Sequence, residues 1–298
     1  MGTRQQGYLE SLTEYRMSFY LLRKNPVSFL GLVILVGFVI TALFAPWLAP
    51  YPDQGLGIAT NLAEQFLPPS PSHIFGTDVY GRDILSRVIM GSRISLQVSL
   101  LVVAFALLVG TPLGSLAGYV GGWVDEAIMR VTDLFLAFPA LLLAMAIAVL
   151  LGPSLTNSMI ALAVTWWPWY TRLSRAQAVA LRNRPFVEAA RAIGVSARRI
   201  LVGHVLPNSL APIIVQATVD IGTVVLASAA LSFLGLGAQQ PSPEWGLQVA
   251  LGRTYVLEQW WIAAFPGLAI FVTSLAFNLL GDGLREALDP KIRRSRRI

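Results

Sequence analysis

Ile94–Tyr119 reads ISLQVSLLVVAFALLVGTPLGSLAGY and carries no charged side chain. A helix rises 1.5 Å per residue and needs about 20 apolar residues to cross a hydrocarbon core about 30 Å thick, so this stretch is long enough to span a membrane. Working outward, the same pattern recurs in Val27–Leu48, Leu134–Leu151, Pro207–Leu236 and Trp260–Leu280, where Asp220 is the one charge. Ser154–Tyr170 is a sixth and weaker candidate. The blocks predict an all-α membrane protein with six transmembrane helices. The composition agrees: 298 residues are 55% hydrophobic and 13% charged, and mean hydropathy is +0.63. Val27–Leu48 is longer than the apolar core of a cleavable leader, about 7 to 15 residues, and reads as an uncleaved first helix.

Positively charged loops resist translocation, so the Lys and Arg distribution orients the chain. With the N-terminus in the cytoplasm, only Arg82, Arg87, Arg93 and Arg253 of the 22 basic residues fall outside. The arginine-rich loop between the fourth and fifth spans and the basic tail are then both inside. This arithmetic requires Ser154–Tyr170 to cross. Trp260 and Trp261 at the outer end of the last span, and Trp166, Trp167, Trp169 and Tyr170 at the inner end of the fourth, suit rings at headgroup depth. Pro112, Pro139, Pro168, Pro212 and Pro266 lie in or near spans and demand a packed bundle around them. Gly110, Gly114 and Gly118 repeat every fourth position and predict close helix packing.

The residue inventory excludes several functions. There is no cysteine, and the two histidines, His73 and His204, are far apart, so no metal set, thiol nucleophile or cofactor site is legible. The two lysines, Lys24 and Lys291, follow Arg23 and Pro290, so no G-x-x-x-x-G-K-S/T phosphate loop is present. The basic residues sit between apolar blocks and form no stripe for a nucleic acid. An intramembrane enzyme would need a nucleophile with a base, and a stand-alone secondary transporter or channel would call for inverted repeats and several buried ionisable groups. The sequence offers Asp220 alone. That aspartate either lines a passage, meeting a cation, or is a hydrogen-bonded packing group.

The loop from Asn183 to Pro207, NRPFVEAARAIGVSARRILVGHVLP, is the least generic stretch. Pro185 suits the first turn of a helix, because its missing donor would be unpaired there anyway. Gly194 is a left-handed terminator, and Ser196 offers an N-cap for a second helix running to His204. Pro207 then opens the fifth span. Ala189, Ala190 and Ala192 let another surface approach the first helix closely, and Glu188 suits its positive end.

The run of Glu188, Ala189 and Ala190, then Gly194 and Leu206–Pro207, resembles the EAA loop of ABC-importer permease subunits, with His204 where that family usually has an aliphatic residue. A second set of motifs, FGTDVYGRDILSR at Phe75–Arg87, RKNP at Arg23–Pro26, PEWG at Pro243–Gly246 and FNLLGDGLR at Phe277–Arg285, is similar to the second permease subunit of the dipeptide, oligopeptide and nickel branch. Thr77 or Asp78 of the first motif is positioned to cap the helix entering the second span.

The resemblance implies a type I ABC importer permease fold in a bacterial or archaeal inner membrane. It implies a homologous permease, two ATP-binding subunits and an external solute-binding protein as partners, with ATP hydrolysis on those subunits and peptides as the expected cargo. Glu188, Ala189, Ala190, Gly194, Leu206 and Pro207 would couple to the ATPase. Glu244 and Trp245, in the outer segment Gln239–Gln259, are candidates for docking the binding protein. The expected organisation is a cytoplasmic segment 1–26, a first span 27–48, an external loop 49–93, a permease core 94–283 with its coupling loop at 171–206, and a basic cytoplasmic tail 284–298.

Overall fold

A computed structural model describes residues 25–288. The basic residues expected inside at positions 4–24 and 291–297 lie outside the described residues, as do Arg23 and Lys24 of the RKNP motif. Asn25 and Pro26 are described, and they start α1 (Pro26–Leu48): the Asn25 side chain accepts from the amides of Val27 and Ser28, with proline in the first turn. A short α2 (Pro52–Leu56) and a 3-10 turn follow, and then α3 (Ile84–Val120), 37 residues long. Among the described residues the one β feature is an isolated bridge between Thr77 and Asp83.

Helix α3 begins ten residues before the predicted span and is capped by neither Thr77 nor Asp78. Asp83 takes the cap, accepting from the Ser86 amide and hydroxyl at 2.7 Å each. Thr77 and Asp78 are instead turned into the loop before it. The Thr77 hydroxyl bridges the Leu67 amide and the Glu64 carbonyl, and Asp78 accepts from the amides of Tyr80 and Arg82.

The third predicted span is not one rod. α4 (Gly122–Leu136) and α5 (Ala140–Leu151) meet at 83°, because Pro139 disfavours helical backbone at Phe138 and interrupts an otherwise continuous apolar block. α6 (Leu155–Arg182) is a 28-residue helix capped by Ser154. α7 (Pro185–Ala192) follows, and Gly194 beyond it has φ 79°, the left-handed stop expected there. α8 (Ala197–Ile200) does not end near His204. It runs through a wide turn at Leu201–Val205 into α9 (Leu206–Phe233), so Pro207 lies within a continuous helical stretch from Ala197 to Phe233. α10 (Trp245–Gly252) and α11 (Trp261–Leu288) complete the described residues.

Four described helices, or five with the bent pair taken as one, are long and apolar enough to cross a membrane. α6 has the length but is not among them. Leu43, Leu108 and Leu150 are 60, 76 and 87% exposed, an outward display of leucine that suits acyl chains.

The glycine stripe explains how α6 is held. A methyl at Gly110, Gly114 or Gly118 would lie 2.4, 2.1 and 2.5 Å from the carbonyl oxygens of Trp167, Thr171 and Arg175, so the backbones of α3 and α6 touch along three turns. Around this seam Val102, Ala106, Leu162, Tyr170, Ile213 and Leu231 form one core. A second core joins α1, α9, α10 and α11 through Phe38, Val225, Trp245 and Phe277.

Candidate functional site

The elbow at Pro185–Val205 is built on a small hydrophobic cluster. Val187 and Ala190, three residues apart on one face of α7, are buried with Ile200 and Val205 against Tyr119 of α3 and Ala178 of α6. Two turns of backbone close α7: the Gly194 amide donates to the Arg191 carbonyl and the Val195 amide to the Ala190 carbonyl, both at 3.0 Å. The Arg191 guanidinium lies over the Tyr119 ring at 5.4 Å. The elbow is therefore packed on the ends of α3 and α6 and does not hang free.

Its outer face is the interesting one. Glu188, Ala189 and Gly194 are exposed, Ala190 turns inward, Leu206 is half-buried and Pro207 is exposed at the start of α9. Two residues that the motif reading left out share the exposed face. Phe186 is 43% exposed and Ile193 80% exposed, flanking the small residues between them. Exposed apolar side chains beside alanines make a shallow surface that a second protein could cover. The signal was available in the sequence as apolar residues out of phase with Val187 and Ala190. His204, at the position where an aliphatic residue was expected, is half-buried with its ring 6.5 Å from that of Phe186.

At the opposite end, the segment 49–83 and the 239–244 turn are fastened by buried charges. Arg82 donates to Asp78 and to Gln240, and Arg87 donates to the carbonyl of Ser242 at 2.9 Å. The His73 Nδ1 is 2.9 Å from Asp83, and its ring lies 4.9 Å from that of Tyr51, tilted by 31°. Removing one partner of such a buried pair costs about 3 to 5 kcal/mol, so the motif at Phe75–Arg87 is a structural fastening.

Glu244 and Trp245 are each 2% exposed and belong to that fastening. Glu244 caps α10 through the Leu247 amide at 2.8 Å, and the Trp245 indole donates to the Val88 carbonyl at 2.9 Å while its ring meets Phe38. Burial pushes the Glu244 carboxyl above the ordinary carboxylate range, and donors at Leu247, Gly246 and Ser232 pull against that shift. Neither side chain is at the surface. The exposed residues of this outer segment are Gln239, Gln240 and Pro241 at its start and Arg253, Thr254, Val256, Leu257 and Glu258 towards its end.

Asp220 is 8% exposed on α9. Gln216 donates to it at 3.0 Å, and Tyr170 and Trp166 of α6 are its other close polar neighbours. The elbow, the outer fastening and Asp220 are three separate places, brought to opposite ends and the middle of one bundle.

Comparison with known proteins follows the same lines. The family model described as the binding-protein-dependent transport system inner membrane component matches residues 110–294, and that for the N-terminal TM domain of oligopeptide transport permease C matches residues 14–69. The probable D,D-dipeptide transport system permease protein DdpC of Escherichia coli K12 is 48% identical over 91% of this chain and 90% of its own length. The dipeptide transport system permease protein DppC of Alkalihalophilus pseudofirmus is 47% identical over 95 and 92%. The glutathione transport system permease protein GsiD of Escherichia coli O6 is 44% identical over 91 and 88%. Among solved structures, the inward-facing MetNI methionine ABC transporter has a chain that superposes with a TM-score of 0.55 at 20% identity, covering 69% of this chain and 98% of that one.

Proposed function

The chain belongs to the inner-membrane components of binding-protein-dependent transport systems, and from that premise we propose that it admits di- or oligopeptides, driven by ATP-binding subunits that grip the elbow at Pro185–Gly194. It is a multi-pass permease component of an ABC importer, and the chemistry of ATP belongs to its partners. The peptide cargo is the reading supported by the dipeptide permeases at 47 and 48% identity. The complex we propose holds a homologous permease, two ATP-binding subunits and an external binding protein.

In this reading six helices cross the inner membrane, with α6 as the fourth. Both termini and the elbow are cytoplasmic, and the domain organisation is that expected from the sequence. α6 tolerates its modest apolarity because its seam with α3 is backbone against backbone, leaving little of it for lipid to meet. The external binding protein docks on the exposed rim of the 239–259 segment. Glu244 and Trp245 hold that rim in place from beneath.

The observation that carries the coupling role is the split of α7 into two faces. Val187 and Ala190 anchor it to α3 and α6, while Phe186, Glu188, Ala189 and Ile193 face outward. A rigid element anchored to two long helices transmits a push from a partner as helix tilting. Leu206–Pro207 lies in the continuous helix that leaves the elbow, so the push also reaches α9.

The experiment is uptake and ATP turnover by the reconstituted importer carrying Glu188→Arg or Gly194→Arg. Gly194 has φ 79°, where any side chain is strained by about 1 kcal/mol or more, and Glu188 sits on the open face. Uptake is expected to fall at least about tenfold, the equivalent of about 1.4 kcal/mol of lost coupling, with membrane insertion intact. Wild-type uptake at wild-type ATP turnover in both variants overturns the coupling role.

A further inference from the structure

Helix α4 is joined to the chain by two soft connections. At its start, the cap Gly121 and the first residue Gly122 have φ 74 and 58°. After its last turn, the chain bends by 83° into α5. No side-chain hydrogen bond caps its first turn. Charge holds it instead. Asp125 receives the Nε and Nη2 groups of Arg175 at 2.5 and 2.7 Å, and Asp133 receives Nη2 of Arg172 at 2.6 Å.

Both arginines lie on α6, and that helix runs on to Arg182 and enters α7 across Asn183 and Arg184 alone. Arg182 itself donates to the Gly118 carbonyl at the end of α3. At the other end of α4, Phe135, Phe138 and Pro139 meet Thr165 and Trp169 of α6 around a cavity of about 330 Å³. One continuous helix thus touches the elbow, the charges on α4 and the cavity at the bend.

We infer that Asp125 and Arg175 are a positioning pair that makes α4 follow α6 when the elbow moves, and so sets the shape of the cavity at the Phe135–Pro139 bend. Of the two pairs, this one carries the link. Its geometry is two-pronged, and its side chains are 20 and 38% exposed, whereas those of Asp133 and Arg172 are 58 and 50% exposed and are screened by solvent. A short helix softly connected at both ends moves with whatever clasps it, and this clasp grips α4 in its first turn, where Asp125 lies. Without the clasp the elbow would tilt α6 and leave the bend behind.

The inference rests on the permease reading above, and two measurements keep the two apart. The first is uptake of a radiolabelled dipeptide panel per ATP hydrolysed, by the whole importer carrying wild-type chain, Asp125→Asn, Arg175→Gln or the exchanged pair Asp125→Arg with Arg175→Asp. Wild-type uptake that depends on ATP tests the permease reading alone. For the clasp, the ratio is expected to fall at least about threefold in each single variant and to return to within about twofold of wild type in the exchanged pair.

The second uses the absence of cysteine from the sequence: spin labels on cysteines introduced at Glu126 and Ile193 report the separation of α4 and the elbow whether or not the cargo is right. A narrow separation in wild type, broad in Asp125→Asn and narrow again in the exchanged pair supports the clasp. An unchanged separation in Asp125→Asn, an unchanged uptake ratio in a wild-type-active importer, or an exchanged pair no better than the single variants overturns it.

Discussion

At the residue scale the sharpest constraint is Gly114. Its missing side chain is the contact: an added methyl would sit 2.1 Å from the Thr171 carbonyl oxygen, and backbone cannot swing aside as a flexible side chain can. Gly114→Ala is expected to cost at least about 1 to 3 kcal/mol and lower the melting temperature in detergent. Gly37→Ala, where nothing lies within 4 Å, should leave it unchanged. Equal melting of the two variants would contradict the backbone seam. The four-residue spacing made this stripe readable without coordinates. The identity of its partner was not readable, because a glycine pattern states that something comes close and not which helix it is.

The outer fastening belongs to the scale of elements, where α10 is tied to α1 and α3 through Trp245 and begins at Glu244. Because burial raises the Glu244 carboxyl, the native state keeps its proton at a pH where the unfolded chain has lost it. The stability contributed by this group is full below the unfolded carboxylate value, near 4.3, and is lost as pH rises through the higher folded value. Melting of the wild type should therefore decline over that window more steeply than melting of Glu244→Gln, whose amide oxygen can still accept from Leu247. Parallel pH profiles for the two proteins would remove this account. The sequence marked Glu244 and Trp245 as special, and the motif was legible. Their inward direction was not, since a polar, proline-bounded segment reads as surface until its partners at Val88 and Phe38 are known.

Elements also show where local rules were overruled. Thr77 and Asp78 are good caps in isolation, but the Leu67 amide and the Arg82 side chain claim them, and Asp83 is left to begin α3. Pro207 reads as a helix start, yet the wide turn at Leu201–Val205 carries the helix past it. The break at Pro139 followed from its own chemistry, whereas its 83° angle depends on how α4 and α5 each pack on α6.

For the whole molecule, the proposed topology puts the elbow and the 239–259 rim on opposite sides of the membrane. Cysteines introduced at Leu257, 95% exposed, and Ile193, 80% exposed, give direct markers in a chain that has none of its own. An impermeant thiol reagent added to intact cells stripped of outer barriers should label Leu257→Cys and spare Ile193→Cys. A bifunctional reagent at Leu257→Cys should join the chain to its external binding protein. Labelling of both positions, or of Ile193→Cys alone, would overturn the orientation derived from the arginines.

By itself the sequence determined that this chain is a helical membrane protein and that residues 183–207, with Pro185 and Gly194, break the helical run into an elbow. These properties depend on spacing, apolarity and local backbone chemistry, which act along the chain and can be read from it. Tertiary structure alone decided that α6 is secured by the glycines of α3, that Glu244 and Trp245 turn inward, and that Arg175 reaches Asp125 fifty residues away. Those contacts join segments remote in sequence, and their direction is set only when the helices have packed and each side chain has a defined neighbour.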